Sequence, residues 1–391
     1  MKVLVLSDTA PGQADQGDRI RLSHFIGWLS RRHEVTLLHF AGDRKDAPGR
    51  LAVPPPTATG KIIRSLLAPH LPVTVASRRT ERMKMALAGL TRREKYDITF
   101  IYQAKMASYL SFLNGPAVVD LTDALSLYYG RLREFCRWPL QQFYRLEQWK
   151  MRRFERRLMK RGIFCMVASE LDARYLQGLV PEARIAVVPN GVDTDFYIPV
   201  QENDGNFDLV FVGNMSYLPN RDGVLYFYRE VFPLVLNGCP EARLVIVGKN
   251  PPADILLLRE NPAVSVTGYV ADVRPYLAAA GVVICPIRFG AGTRIKILEA
   301  MAMGKAVVST ALGCEGLEIT AGYDIEVADE PAAMAAKIIK LLKNPEKRKS
   351  LGKKARETVL KKYDWENICL CLERLLVEEA EKYIYLFKLN S

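Results

Sequence analysis

Two doubly wound α/β domains in series are the architecture this sequence predicts, and three observations carry the prediction. Short β-branched runs alternate with helical stretches along the chain, as in parallel strands joined by crossover helices. The alternation pauses at the polar segment Gln201–Asn206 (Q-E-N-D-G-N) and then restarts. The chain has 391 residues, more than one hydrophobic core usually serves.

The first domain opens on the strand Lys2–Ser7 (K-V-L-V-L-S) and a polar loop, Asp8–Asp18, with Pro11, Gly12 and Gly17. A helix over Arg19–Ser30 turns Ile20, Phe25 and Leu29 inward, and Glu34–His39 is the second strand. Residues 41–60 hold Pro48, Pro54, Pro55 and Pro56 and show no regular period, so they read as a long connection. Further strands are expected at Asp97–Tyr102, Ala117–Leu121, Ile163–Ala168 and Arg184–Val188. In the second domain they are expected at Asp208–Val212, Arg243–Val247, Val264–Thr267, Gly281–Ile287, Ala306–Ser309 and Asp324–Val327. The tail from Ala332 is helical and charged, and Trp365–Phe387 is long enough to pack back on the first domain. The expected boundaries are 1–195, 196–364 and 365–391. Two such domains leave a cleft between them, a usual place for a ligand.

The most informative stretch is Cys285–Ser309, C-P-I-R-F-G-A-G-T-R-I-K-I-L-E-A-M-A-M-G-K-A-V-V-S. It reads as a buried strand, a glycine loop from Phe289 to Gly292, a helix from about Thr293, a left-handed cap at Gly304, and the next strand. Arg294, Lys296 and Glu299 crowd the first turns of that helix. Two cations beside free backbone N–H groups suit a diphosphate, and a carboxylate one turn further suits vicinal sugar hydroxyls. The alternative is a plain helix start with an i,i+3 Lys296–Glu299 pair.

Composition narrows the class. The net charge of +12 implies anionic company: nucleotide phosphates, an acidic lipid surface or nucleic acid. No base-stacking aromatic motif accompanies the charge, so nucleic acid is not the expected partner. Val3–Leu6 is too short for a cleavable signal peptide, and no apolar run reaches the ~18 residues of a membrane span. The seven cysteines include no CxxC pair, which favours buried thiols in a reducing cytoplasm.

Several motifs together resemble a family. They are R-I-A-V-V-P-N-G-V-D (Arg184–Asp193), D-L-V-F-V-G-N (Asp208–Asn214), A-R-L-V-I-V-G (Ala242–Gly248), V-T-G-Y-V (Val266–Val270) and L-E-A-M-A-M-G-K-A-V-V (Leu298–Val308). Their order and spacing resemble the retaining glycosyltransferases of family 4 over essentially the whole second domain; the first domain matches more loosely, through its glycine loop and R-R-H-E-V (Arg31–Val35). G-D-R-I-R (Gly17–Arg21) and D-L-T-D-A-L-S (Asp120–Ser126) resemble a branch linked to exopolysaccharide and exosortase gene clusters. The resemblance implies the GT-B fold: two Rossmann-like domains facing a cleft, with a C-terminal helix returning to the first.

It also implies a chemistry. A nucleoside-diphosphate sugar binds mainly to the second domain, and its sugar passes to an acceptor hydroxyl with retention at the anomeric carbon. The acceptor would be a saccharide or lipid-linked saccharide, and the chain would be cytoplasmic or peripheral on the inner face of the cell membrane. Donor-binding positions carried over are Gly17, Gly213, Asn214, Gly292, Thr293, Arg294, Lys296 and Glu299; catalytic positions are Asp123, Arg294 and Lys296. The resemblance implies no metal, since this fold neutralises the leaving diphosphate with side-chain cations and a helix N-terminus; Asp193-Thr-Asp195, inside the N-G-V-D-T-D-F-Y loop, reads as a turn. Two departures stand out. The family's E-x7-E pattern has Ala291 at its first position, and the usual cation pair after the F-V-G strand is missing, with Asn214 there and Arg221 next. Arg294 and Lys296 on the facing loop and helix read as its relocation.

Other residues keep two readings. Asp123 would orient or deprotonate the acceptor, or cap a helix over Ala124–Tyr129. Arg19 and Arg21 would meet an acceptor phosphate or the donor, or line a solvated helix face. His24 and His33 would pack or cap, and Glu315 would reach the donor base or ribose. Residues 145–161 hold eight cations, against Glu147 and Glu155, interleaved with aromatics. They would meet an anionic membrane surface or form a solvated helix. An epimerase sharing the fold and a non-catalytic nucleotide-sugar-binding protein are the competing classes. A nicotinamide enzyme is disfavoured, because G-A-G-T-R-I (Gly290–Ile295) lacks its third glycine.

Overall fold

The computed structural model describes residues 1–12, 17–40, 49–200, 207–290 and 292–389. They form two compact units, Met1–Pro189 with Glu366–Ser391, and Asn190–Trp365. The segment Gln201–Asn206 and Ala291 lie outside the described residues.

The first unit is a parallel sheet of β1 (Lys2–Ser7), β2 (Glu34–Phe40), β3 (Arg50–Val53), β4 (Ile98–Tyr102), β5 (Ala117–Thr122), β6 (Phe164–Val167) and β7 (Ile185–Val187). The order is β3-β2-β1-β4-β5-β6-β7. Val3 pairs with Val35 on one side and Ile98 on the other, and Val3 to Leu6 have no exposed surface. A strand covered on both faces must be apolar throughout, which is why K-V-L-V-L-S is legible as a strand. The helices are α1 (Gly17–Leu29), α2 (Ala58–Leu67), α3 (Val73–Ala76), α4 (Glu81–Arg93), α5 (Leu125–Phe135), α6 (Leu140–Met159) and α7 (Glu170–Leu179).

β3 and α2 correct the sequence reading of residues 41–60 as a connection throughout. R-L-A-V is a four-residue edge strand, too short to show a period, and Pro54–Pro56 end it by withholding backbone donors.

The second unit is also parallel, with β8 (Phe207–Val212), β9 (Leu244–Val247), β10 (Val264–Gly268), β11 (Ala280–Cys285), β12 (Ala306–Ser309) and β13 (Glu326–Val327) in the order β10-β9-β8-β11-β12-β13. Its helices are α8 (Leu218–Tyr226), α9 (Phe232–Gly238), α10 (Ala253–Leu256), α11 (Arg274–Ala279), α12 (Ile295–Ala302), α13 (Pro331–Leu342) and α14 (Pro345–Lys362). Both sheets are the doubly wound, Rossmann-like kind.

The last helix, α15 (Trp365–Leu389), returns to the first unit. Glu373 accepts from Trp28 Nε1 at 2.7 Å and lies 2.9 Å from His33 Nε2. Arg184 donates to both oxygens of Glu379, at 2.5 and 2.6 Å. His33 therefore packs a helix, as one of its two readings held.

Arg21 fits neither of its readings. It is fully buried, with Nε on Asp120 Oδ2 at 2.8 Å, Nη1 on the Pro189 carbonyl at 2.7 Å and Nη2 on the Val188 carbonyl at 2.8 Å. The guanidinium's fork ties α1 to β5 and to the end of the unit, so its role is architectural. Arg21→Met leaves Asp120 as an uncompensated buried charge. The expected cost is about 3–5 kcal/mol of stability, read by denaturant unfolding; a cost under about 1 kcal/mol contradicts the assignment.

Candidate functional site

In the second unit the strand order reverses between β8 and β11, the switch point at which open α/β sheets bind ligands beyond the carboxyl ends of their strands. Gly213 follows β8, and Phe289–Arg294 follows β11 and leads into α12. The residues singled out in the sequence meet here. Lys296 Nζ donates to Asn220 Oδ1 at 2.7 Å and lies 4.2 Å from the Phe211 ring centroid. A Cβ on Gly213 would sit 2.7 Å from that ammonium, so glycine is what lets the cation lie against the strand end. Arg294 Nη1 donates to the Gly292 carbonyl at 2.7 Å, and a Cβ on Gly290 would lie 3.0 Å from its Nη2. Thr293 Oγ1 accepts from Asn190 Nδ2 at 2.6 Å, fixing the turn ahead of the helix. One turn into α12, Glu299 Oε1 accepts from Tyr197 Oη at 3.0 Å.

Asn214, the remaining candidate on this side, forms a turn. Asn214 Oδ1 accepts from Ser216 N at 3.1 Å and Ser216 Oγ at 2.8 Å. Its carbonyl accepts from Asn220 Nδ2 at 2.9 Å, so Asn220 bridges the loop after β8 to Lys296. Arg221 turns instead to Asp254, at 2.8 Å. Asp193 Oδ1 accepts from Asp195 N at 3.2 Å and Phe196 N at 2.8 Å, the turn read from the sequence.

Burial pulls the Lys296 ammonium down to about 8, with Arg294 adding to the effect and Cys285 and Glu299 opposing it. Burial likewise raises Glu299, against the Tyr197 hydroxyl and Lys296. If the Lys296 charge holds a ligand's phosphates, kcat/KM for that ligand falls as pH rises through about 8. Stability moves the other way. Folded Lys296 gives up its proton more readily than free lysine, at 10.5, so its contribution to stability grows between those values. A loss of activity above pH 8 is therefore not unfolding, which a parallel thermal melt checks; a flat rate profile across that pH contradicts the role.

In the first unit, Gly17 is the first residue of α1, and Asp123 follows β5. Thr122 is left-handed (φ 65°), and so is Gln103 (φ 73°) after the neighbouring β4, conformations that cost a non-glycine residue stability. The first N–H groups of the α5 region are satisfied from other helices. Asp172 on α7 accepts from Ala124 N at 2.9 Å. Glu155 on α6 accepts from Ser126 N at 3.1 Å and Ser126 Oγ at 2.5 Å. Two buried carboxylates thus hold the N–H groups of Ala124 and Ser126. Burial, with Asp172 nearby, pushes Glu155 up to about 7, against its bonds from Ser126.

At the switch point of this sheet, between β1 and β4, Asp8 binds Arg78 at 2.5 Å and Lys105 at 2.8 Å. The sequence singled out neither these three residues nor Glu155, Asp172, Asn220 and Tyr197. A signal existed for Asp8, at the carboxyl end of the first strand; the others are joined to their partners only by the fold.

Two family models match the chain. Residues 21–196 match Glycosyltransferase Family 4, and residues 206–344 match Glycosyl transferases group 1. An uncharacterised protein in the cps region of Klebsiella pneumoniae is 28% identical over 42% of this chain and 44% of its own length. An uncharacterised glycosyltransferase of Methanocaldococcus jannaschii is 29% identical over 53% of this chain and 58% of its own. The chain thus spans about half the length of these curated relatives. Among solved structures, sucrose-phosphate synthase of Thermosynechococcus elongatus aligns with a TM-score of 0.72 at 17% identity, over 96% of this chain and 98% of that one. Anabaena HepE in complex with UDP aligns with a TM-score of 0.69 at 16% identity, over 97% and 100%. WaaG, a glycosyltransferase involved in lipopolysaccharide biosynthesis, aligns with a TM-score of 0.63 at 15% identity, over 96% and 99%. The fold is that of the GT-B glycosyltransferases.

Proposed function

We propose that this chain, which carries family 4 and group 1 glycosyltransferase domains, transfers a sugar from a nucleoside diphosphate to an acceptor hydroxyl with retention at the anomeric carbon. The observation that carries the reading is the convergence of Lys296, Arg294 and Glu299 beside Gly213 at the switch point of the second sheet. As the bond from the anomeric carbon to the phosphate oxygen breaks, its electron pair leaves with the diphosphate and the sugar becomes oxocarbenium-like. Lys296 and Arg294 stabilise the growing negative charge, together with the backbone N–H groups where α12 begins. Glu299, held by Tyr197, accepts from both ribose hydroxyls. Asp123 in the first unit orients or deprotonates the acceptor hydroxyl, whose oxygen forms the new bond.

Support for the donor class comes from the structures of HepE with UDP and with UDP-glucose, proteins of the same fold. The acceptor reading is a saccharide or lipid-linked saccharide in cell-surface or exopolysaccharide synthesis, met at an anionic leaflet through residues 145–161. It draws support from the cps-region relative and from the basic face of α6. No helix among the described residues is long and apolar enough to cross a membrane, so the association proposed is peripheral. The test incubates the chain with a panel of nucleotide sugars, with and without saccharide acceptors. Expected is nucleoside diphosphate release coupled to an acceptor-linked product of unchanged anomeric configuration. A converted nucleotide sugar formed without acceptor, or no turnover with any donor, overturns the proposal.

A further inference from the structure

Helix α2 has no buried residue. Its side chains Ile62, Ile63, Leu66 and Leu67 are 63%, 50%, 73% and 78% exposed and share one face by their i, i+1, i+4, i+5 spacing. The helix has ten residues, too few to be stable in water from propensity alone. It is tethered at its edges: Thr57 caps its start through Gly60 N, and Arg64 Nε reaches the Ser77 carbonyl at 3.4 Å. Nothing in the unit's own core accounts for an aliphatic face turned to solvent.

The next elements tie this face to α6. Ala68, just past α2, packs with Leu71 and Val75 against Tyr129 of α5 and Met151 of α6. Val73 N donates to Glu147 Oε2 at 2.6 Å. Glu147 and Glu155, the acidic residues of α6, are each 1% exposed, so the carboxylates point inward and cations are left outside. Arg152, Arg153, Arg156 and Arg157 are exposed along its second half. Its first half exposes Phe143, Leu146 and Trp149, and Trp138 just ahead is 78% exposed. One small core thus carries two helices with apolar faces in water, one of them running on into a basic face.

We infer that α2 and the first half of α6 insert together into the headgroup–acyl boundary of an anionic bilayer, with the α6 arginines on the lipid headgroups. An apolar face flanked by cations, with its acids withdrawn, is the charge pattern such an interface rewards. A second copy of the chain would bring the same cations against these in a two-fold contact, and the chain already carries +12. The inference extends the anionic-leaflet reading of residues 145–161 by a second element and does not depend on the transfer chemistry.

The test is flotation of the full chain with vesicles of phosphatidylcholine alone or mixed with phosphatidylglycerol, at low salt. Wild type is expected to float with the mixed vesicles only. The variant Ile62→Ser/Ile63→Ser/Leu66→Ser/Leu67→Ser is expected to bind them about 10-fold more weakly or less, with an unchanged far-UV spectrum. If it floats like wild type, α2 is not the insertion element and the basic-helix reading stands alone. If wild type binds neither vesicle, or both equally, the two readings fail together. Brominated acyl chains keep the question open to a second readout should the variant misfold, since they are expected to quench Trp138 and Trp149 in wild type, and absent quenching overturns insertion. A wild-type dimer that the serine variant dissolves overturns it in favour of a second copy.

Discussion

Replacing Arg294 or Lys296 by alanine is expected to slow transfer about 10–100-fold each, because a lost charge-assisted contact to the departing diphosphate is worth roughly 1.5–3 kcal/mol. The two changes are expected to differ in what else they disturb. Lys296 packs against Gly213, Asn220 and Phe211, so Lys296→Ala also leaves Asn220 Oδ1 without its donor. Arg294 is buried and bonds the Gly292 carbonyl of its own loop, so Arg294→Ala also leaves that carbonyl without this donor, and a thermal melt of each variant accompanies the rates. Glu299→Ala is expected to weaken donor binding more evenly between ground and transition states, seen as a raised KM with a smaller change in kcat. Arg221→Ala is the control: its guanidinium pairs with Asp254 at 2.8 Å, and the loss should be several-fold smaller. If Arg221→Ala abolishes transfer and Arg294→Ala leaves it intact, the relocated-clamp reading is wrong.

Asp123→Asn is expected to lower turnover by ~10²-fold or more while donor affinity stays unchanged. The structure sharpens this test. The N–H groups of Ala124 and Ser126 are held by Asp172 and Glu155, so the substitution leaves those two contacts in place. Asp123 Oδ1 is buried, so a parallel denaturant-unfolding measurement separates a loss of rate from a loss of stability. A near-normal rate rules out the catalytic role, and a large stability loss with proportionate inactivation shows that Asp123 supports the turn after the left-handed Thr122 instead.

The fold was legible where burial forces composition. Strands covered on both faces, such as Val3–Leu6 and Val282–Cys285, must be apolar runs, and their alternation with helices specifies parallel sheets. The candidate cluster in the second unit was legible for a local reason: Gly292, Arg294, Lys296 and Glu299 lie on one loop and the helix it starts. What escaped is contact between residues far apart in the chain. Arg21 looks like a helix-face cation until β5 supplies Asp120, and Glu147 and Glu155 look like balancing surface charges until they turn inward. Tyr197 and Glu299 are likewise joined only by the packing of the second unit. The edge strand β3 escaped because four residues between prolines carry no period.

The central claim, that Arg294 and Lys296 form a diphosphate site, is tested most directly by thermal unfolding against a panel of nucleosides, nucleoside monophosphates and nucleoside diphosphates. Ligand that binds the native state raises the melting temperature in proportion to its affinity. One nucleoside diphosphate is expected to stabilise wild type well beyond its monophosphate, and Arg294→Ala/Lys296→Ala is expected to lose most of that increment while keeping the nucleoside's own. An equal diphosphate increment in wild type and the double variant would place the phosphates elsewhere and contradict it.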